Sequence, residues 1–138
     1  TLGTFGQAVT RVVTRPGSSQ ILVAGEKMEP RVYDAGSLME DTKLEKQPGL
    51  IFAAGYSVDG TKLALAGSAK ALRVYDAESG QRIAGLRSEQ GWIYALAFNA
   101  DGDRLATAGY EGTLRIWDLE MGKGLVEVIP VILERAGK

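Results

Sequence analysis

Residues 97–123, AFNADGDRLATAGYEGTLRIWDLEMGK, determine the architecture of this 138-residue chain. Two turn signals, Asp101-Gly102 and Glu111-Gly112, separate short runs of apolar and β-favouring residues. Asp-Gly between such runs is a strong signal for a β-hairpin, because glycine accepts the positive φ of a tight turn. With the run before it at 93–98 and the run after it at 125–128, the stretch predicts a four-stranded antiparallel meander.

The same pattern recurs with a period of 42 residues. Two markers carry the period: Ala-Gly pairs at 24–25, 66–67 and 108–109, and aromatic-Asp pairs at Tyr33-Asp34, Tyr75-Asp76 and Trp117-Asp118. A fixed period of this size indicates one supersecondary unit copied along the chain. Three copies fill 126 of the 138 positions, and the predicted units are 1–42, 43–84 and 85–129, followed by a C-terminal tail at 130–138.

The strand-like runs are small and apolar on both faces, as in LALAG and LATAG. Such strands suit a sheet that is packed against a neighbour on each side. A four-stranded sheet of this length, sandwiched between copies of itself, is a propeller blade. A helical alternative is poor, because glycines and turn dipeptides interrupt every window long enough for an amphipathic helix.

The stretch at 97–123 resembles a WD40 repeat, and residues 55–81, GYSVDGTKLALAGSAKALRVYDAESGQ, resemble a degenerate one. Residues 9–38 align in register but keep less of the pattern, with Pro16-Gly17 near the Asp-Gly turn position. The resemblance implies an all-β chain of three four-stranded antiparallel WD40-like blades, forming an incomplete or half ring.

The chain departs from the family pattern before each first strand, where WD40 blades typically carry a Gly-His pair. Thr4-Phe5, Lys46-Gln47 and Ser88-Glu89 stand there instead. The family's buried network of Trp, Ser/Thr, His and a turn Asp therefore cannot form, although Thr107 and Trp117 remain in the third unit. We expect the blades to be held together by packing and Trp117 to be buried.

Composition excludes several classes of site. The chain has no cysteine and no histidine, which removes disulfides, Cys/His zinc sites and imidazole-dependent triads. A net charge of -1 without basic runs predicts no nucleic-acid or membrane partner, and no apolar stretch is long enough to span a bilayer. The sequence predicts no metal and no cofactor; it leaves the compartment open, with a preference for the cytoplasm as a soluble chain.

The carboxylates predict structural roles. Asp34, Asp76 and Asp118 are expected to end the third strand of each unit and hold the next turn, while Asp59 and Asp101 are turn residues. General acid–base catalysis needs carboxylates at a fixed separation in one pocket, and the acids here recur once per unit at turns. The sequence therefore predicts no catalytic residue and no enzyme.

Three blades leave the ring open, since propellers typically close with four to eight. The chain is part of a longer propeller, half of a six-bladed homodimer, or a stable open arc. Beyond Pro130, the run Val131-Ile132-Leu133 is either a frayed edge or a strap that crosses to the next subunit or domain.

The resemblance places Trp92, Tyr94 and Tyr110 of the third unit, with Leu50 and Phe52 of the second, on the flat face that propellers use for binding. Exposed aromatic side chains dominate interface energetics; the alternative is that Trp92 and Leu50 pad the junction between blades. The sequence predicts a protein–protein interaction scaffold for a protein or peptide partner. A propeller module of a larger redox or hydrolytic protein is the alternative, and a propeller enzyme in its own right is the least favoured.

Overall fold

The computed structural model describes residues 6–26, 29–87, 91–120 and 123–128, which form three four-stranded antiparallel sheets. Sheet 1 consists of β1 (Val9–Thr14), β2 (Gln20–Gly25), β3 (Arg31–Asp34) and β4 (Met39–Lys43). Sheet 2 consists of β5 (Ile51–Tyr56), β6 (Lys62–Gly67), β7 (Ala71–Asp76) and β8 (Arg82–Arg87). Sheet 3 consists of β9 (Ile93–Phe98), β10 (Arg104–Gly109), β11 (Leu114–Asp118) and β12 (Lys123–Val128).

Within each sheet the strands are ordered as in the sequence, so each is a meander. The first strands begin at Val9, Ile51 and Ile93, which repeats the period of 42 residues. Within the described ranges no helix is long and apolar enough to cross a bilayer. The predicted all-β architecture is thereby confirmed. Three parts of the sequence lie outside the described residues: Thr4-Phe5, Ser88-Glu89 and Val131–Leu133.

The repeated Ala-Gly pair has a steric cause. The residue after each glycine donates its backbone N–H to a carbonyl before the first strand, as Ser68 does to Leu50 at 3.0 Å and Tyr110 to Trp92 at 2.8 Å. This contact brings the carbonyl oxygen against the glycine Cα. A Cβ on Gly67 would lie 1.8 Å from the Leu50 oxygen, and one on Gly109 would lie 1.9 Å from the Trp92 oxygen. Only glycine fits at this position, which explains why the sequence marks every unit with it.

Two apolar cores hold the three sheets together. The core between sheets 1 and 2 contains Leu22, Ala24, Val32, Ile51, Leu63, Leu65 and Tyr75. The core between sheets 2 and 3 contains Ala53, Ala64, Ala66, Leu72, Val74, Leu86, Ile93, Leu105 and Trp117. Neighbouring sheets also meet through their first strands, β1 with β5 and β5 with β9. The sheets do not close into a ring among the described residues, so sheets 1 and 3 each keep one outer face without a sheet against it.

Candidate functional site

Three aromatic rings cluster where sheets 2 and 3 meet. Phe52 lies on β5, Trp92 directly precedes β9, and Tyr94 lies on β9. The ring centroid of Phe52 is 5.5 Å from that of Trp92 and 5.5 Å from that of Tyr94. Trp92 and Tyr94 meet edge to face at 6.4 Å. We call Phe52, Trp92 and Tyr94 the aromatic cluster.

The cluster is held by its backbone while its rings remain partly open to solvent. The Trp92 carbonyl accepts a hydrogen bond from the N–H of Tyr110. The Tyr94 carbonyl accepts one from Nη2 of Arg11 on β1 at 3.3 Å. Trp92 is nevertheless 45% exposed and Tyr94 39% exposed, while Phe52 is half-buried. The ring-to-ring contacts limit the side-chain freedom that these exposed residues would lose if a partner docked on them.

The other two predicted site residues lie differently. Tyr110 is 74% exposed and is tied to Trp92 through its backbone, but its ring makes no contact with another ring of the described residues. Leu50 is half-buried, and its N–H donates to Oγ of Ser68 at 2.8 Å. The structure thus brings together three of the five predicted residues and leaves Tyr110 and Leu50 outside the cluster.

A buried polar network in sheet 2 corrects the expectation that packing alone holds the blades. Gln47, at the family's histidine position, is only 6% exposed. Its Nε2 donates to the Tyr75 hydroxyl at 2.7 Å, and that hydroxyl donates to Oε1 of Glu45 at 2.8 Å. Arg73 adds an ion pair to the same Glu45 oxygen at 3.0 Å. Glutamine supplies a donor where histidine usually does, so a substitute network forms.

The sequence carried a signal for this network that composition-level reasoning missed. A polar residue, Gln47, stands at the family's His position, and a residue with an aromatic hydroxyl, Tyr75, stands at its Trp position. Burial raises the pKa of Tyr75, so the hydroxyl stays protonated and keeps its donor role.

Sheet 3 retains another part of the family network. Nε1 of Trp117 donates to Oγ1 of Thr107 at 2.9 Å, and both residues are buried. The predicted burial of Trp117 is confirmed at 3% exposure. Glu111, at the turn-Asp position, is exposed and lies beside Gly91. Polar contacts therefore supplement packing in sheet 3 as well.

A double-mutant cycle tests the sheet 2 network. Gln47→Leu and Tyr75→Phe should each lower the free energy of unfolding by about 1–2 kcal/mol, because each leaves a buried polar group with fewer partners. The double variant should lose less than the sum of the two, since it removes both partners together. Urea unfolding followed by circular dichroism measures all four proteins. Strict additivity would contradict the network.

The carboxylates hold turns, as the sequence predicted. Oδ1 of Asp34 accepts the N–H groups of Gly36 and Ser37, and Oδ1 of Asp76 accepts those of Glu78 and Ser79. The Ser19 hydroxyl and the Ser37 N–H lower the pKa of Asp34, and the Ser79 N–H lowers that of Asp76.

Asp59 shows the same effect more strongly. Its Oδ1 accepts the Ser57 hydroxyl at 2.7 Å together with the N–H and hydroxyl of Thr61, and these bonds lower its pKa to about 2. A general acid working near neutral pH needs a raised pKa, so these groups are poorly suited to acid catalysis. Within the described ranges no group of three or more acidic residues is arranged to hold a metal ion.

Comparisons with known proteins agree with this architecture. Residues 80–118 match the family model described as WD domain, G-beta repeat. Two solved structures superpose on 94% of the chain: "Crystal structure of RRP9 WD40 repeats", with a TM-score of 0.87 at 16% identity, and "Structure of U3-55K", with 0.86 at 17%. The chain spans 41% of the length of each. No curated protein sequence matches it.

The class of protein follows from the repeat match and the fold. The match begins just before β8, the outer strand of sheet 2, and ends at Trp117-Asp118 on β11. The chain carries a WD40 repeat and is built of WD40-type propeller blades.

Proposed function

We propose that this chain is a non-catalytic interaction scaffold that binds a protein or peptide through the aromatic cluster. WD40 propeller blades generally serve as protein-interaction scaffolds. The observation that carries the proposal is the contiguous set of three rings, two of which are more than a third exposed. Isolated exposed apolar residues are ordinary, but clustered Trp and Tyr are the residues that anchor interfaces.

The chemistry of the cluster favours a partner with apolar anchor side chains. Tryptophan and tyrosine offer large apolar area with few rotatable bonds, together with one indole N–H and one phenol hydroxyl for hydrogen bonds. Tyr110, exposed beside the Trp92 backbone, extends the surface, and Leu50 borders it in sheet 2. A peptide segment presenting leucine, methionine or an aromatic residue matches this surface.

The ring belongs to the same proposal. Propellers close with four or more blades, and the described residues form three sheets, so the chain acts in a ring completed by self-association or by further blades. Its span of 41% of the similar solved chains is compatible with further blades and with a module of a larger protein. A net charge of -1 gives no electrostatic support for a nucleic-acid partner.

A peptide-display selection tests the binding surface. A random peptide library is selected against the chain, and the affinity of the recovered peptides is measured by fluorescence anisotropy for the wild type, Trp92→Ala and Tyr94→Ala. Loss of a central aromatic anchor typically costs about 2 kcal/mol or more, so affinity should fall by about thirtyfold. Ile83→Ala is the control, because Ile83 is an exposed apolar residue on the outer strand of sheet 2.

Two outcomes would contradict the proposed surface. One is that the selected peptides bind Trp92→Ala and Tyr94→Ala as tightly as the wild type. The other is that Ile83→Ala weakens binding as much as the two cluster variants do.

A further inference from the structure

The outer face of sheet 3 resembles the face of sheet 2 that packs against sheet 3. Ladder pairing places Ala106 opposite Ile116 and Ala97, and Ala108 opposite Leu114 and Ala95, so all six share one face. We call Ala95, Ala97, Ala106, Ala108, Leu114 and Ile116 the small face. One period earlier, sheet 2 has Ala53, Gly55, Ala64, Ala66, Leu72 and Val74, and all but Gly55 are buried against sheet 3. The small face is half-exposed or exposed.

Sheet 1 offers the complementary surface on its own outer side. Pairing of Val12 with Val23, Thr14 with Ile21, and Tyr33 with Ile21 places these side chains on one face. We call Val12, Thr14, Ile21, Val23, Arg31 and Tyr33 the large face. One period later, sheet 2 has Leu63, Leu65 and Tyr75, which are buried in the core against sheet 1. On this face Val12 is 64% exposed and Thr14 is exposed, Ile21, Val23 and Arg31 are half-buried, and Tyr33 is buried.

We propose that the occupant of the small face is the large face of a second copy of this chain. Two copies joined head to tail in this way form two equivalent interfaces and close a six-bladed ring. The inference rests on the ring completion proposed above and names its partner; it does not depend on the aromatic cluster. A heterologous contact that closes on itself gives a finite assembly, whereas one that does not close gives a filament.

Side-chain volume supports a second copy. Inside the chain, a Cβ on Gly55 would lie 3.0 Å from Cδ1 of Leu96, so a glycine faces a leucine between sheets 2 and 3. One period earlier these positions are Val13 and Ala54, which both pack against the core between sheets 1 and 2. The proposed interface would set Ala97 against Val12.

The side chains of each pair contain four carbon atoms in total. The three pairs are Gly55–Leu96, Val13–Ala54 and Ala97–Val12. Because protein interiors are close-packed, a change in volume on one sheet has to be matched on the sheet that faces it. Ala97 has one methyl group more than Gly55, so the residue that faces it has to be shorter than the leucine that faces Gly55. Val12 has such a shorter side chain. The two outer faces of the chain are thus matched in size at this position.

Side-chain cations also join neighbouring sheets, although the residue one period before Lys62 is Gln20 and sheet 1 uses Arg15 instead. Nε of Arg15 donates to the Gly60 carbonyl at 2.7 Å, which joins sheet 1 to the turn of sheet 2. Nζ of Lys62 donates to the Gly102 carbonyl at 2.8 Å, which joins sheet 2 to the turn of sheet 3. Arg104, one period after Lys62, is exposed on the open side. In the proposed ring it would reach the turn of sheet 1 near Ser18 of the second copy, where a carbonyl would give a charge-assisted hydrogen bond.

Light scattering after size exclusion tests the ring with the full chain. The wild type should have twice the chain mass of 14.7 kDa. Ala106→Glu on the small face and Ile21→Lys on the large face should each halve that mass, because each buries an unpaired charge at both interfaces. Mixing the two variants should restore the dimer, since one interface then pairs Glu with Lys and the other is wild type. Ile83→Lys is the matched surface control and should remain dimeric.

Three results would overturn the proposal. A wild-type monomer at all micromolar concentrations would do so. An Ile21→Lys dimer beside an Ala106→Glu monomer would show a contact of the small face with itself. A series of larger species would show that the contact does not close. Circular dichroism checks that each variant is folded, and the mixing experiment separates a lost interface from a lost fold. The peptide-binding measurement is read separately, so its failure is distinguishable from failure of the ring.

Discussion

Gly67→Ala should lower the free energy of unfolding by about 3 kcal/mol, among the larger effects available to a single substitution in this fold. The added Cβ would lie 1.8 Å from the Leu50 carbonyl oxygen and 2.8 Å from its carbonyl carbon. Both atoms belong to the backbone, so no flexible side chain can move aside. Relief requires that β5 and β6 separate, which breaks the Ser68 to Leu50 hydrogen bond at the start of sheet 2.

The matched control is Gly85→Ala on β8. The nearest atoms to a Cβ there belong to the Arg82 side chain, at 3.8 Å, and Gly85 is exposed. The substitution should leave stability unchanged or raise it by about 0.5 kcal/mol, because alanine loses less conformational freedom in a strand than glycine does. Guanidinium unfolding of both variants measures the difference. Equal effects would mean that glycine at position 67 is not required by the close carbonyl.

The repeat made most of the fold predictable. The Ala-Gly pair marks the position where only glycine fits, and the aromatic-Asp pair marks the turn after the third strand. Both features depend on nearby residues, so the same pattern predicts the same structure in each copy. The Asp-Gly turns were predictable for the same reason: Gly60 and Gly102 have φ values of 75° and 72°. Asp34 and Asp76 hold the turns that their spacing predicted.

The site was less predictable because it depends on contacts between copies. Phe52 and Trp92 belong to different units, and their 5.5 Å contact depends on how closely β5 and β9 approach, which no local pattern reports. The resemblance placed five residues on one surface, but it could not report that only Phe52, Trp92 and Tyr94 are in ring contact. The Gln47–Tyr75 bond was not predicted, because the family pattern has histidine as the donor, whereas in this chain a glutamine at that position donates instead.

Trp117→Ala should destabilise the chain by about 4 kcal/mol, from lost burial and the cavity that remains. The indole is 3% exposed in the core between sheets 2 and 3, and the guanidinium of Arg115 lies 5.3 Å from its ring centroid. The substitution also removes the Nε1 donor bonded to buried Thr107. Small domains are stable by about 5–15 kcal/mol, so this single change would remove a large share of the total.

Trp92→Ala is the internal comparison, because these are the two tryptophans of the chain and each variant keeps the other as its fluorescent reporter. Trp92 is 45% exposed and contacts Phe52 and Tyr94 rather than a closed core, so its loss should cost about 1 kcal/mol of stability. Urea unfolding monitored by circular dichroism gives both values. If Trp92→Ala were as destabilising as Trp117→Ala, Trp92 would be padding between blades, and its place in a binding surface would lose its basis. A small stability cost together with a large loss of peptide affinity would separate the two tryptophans by role, one structural and one for recognition.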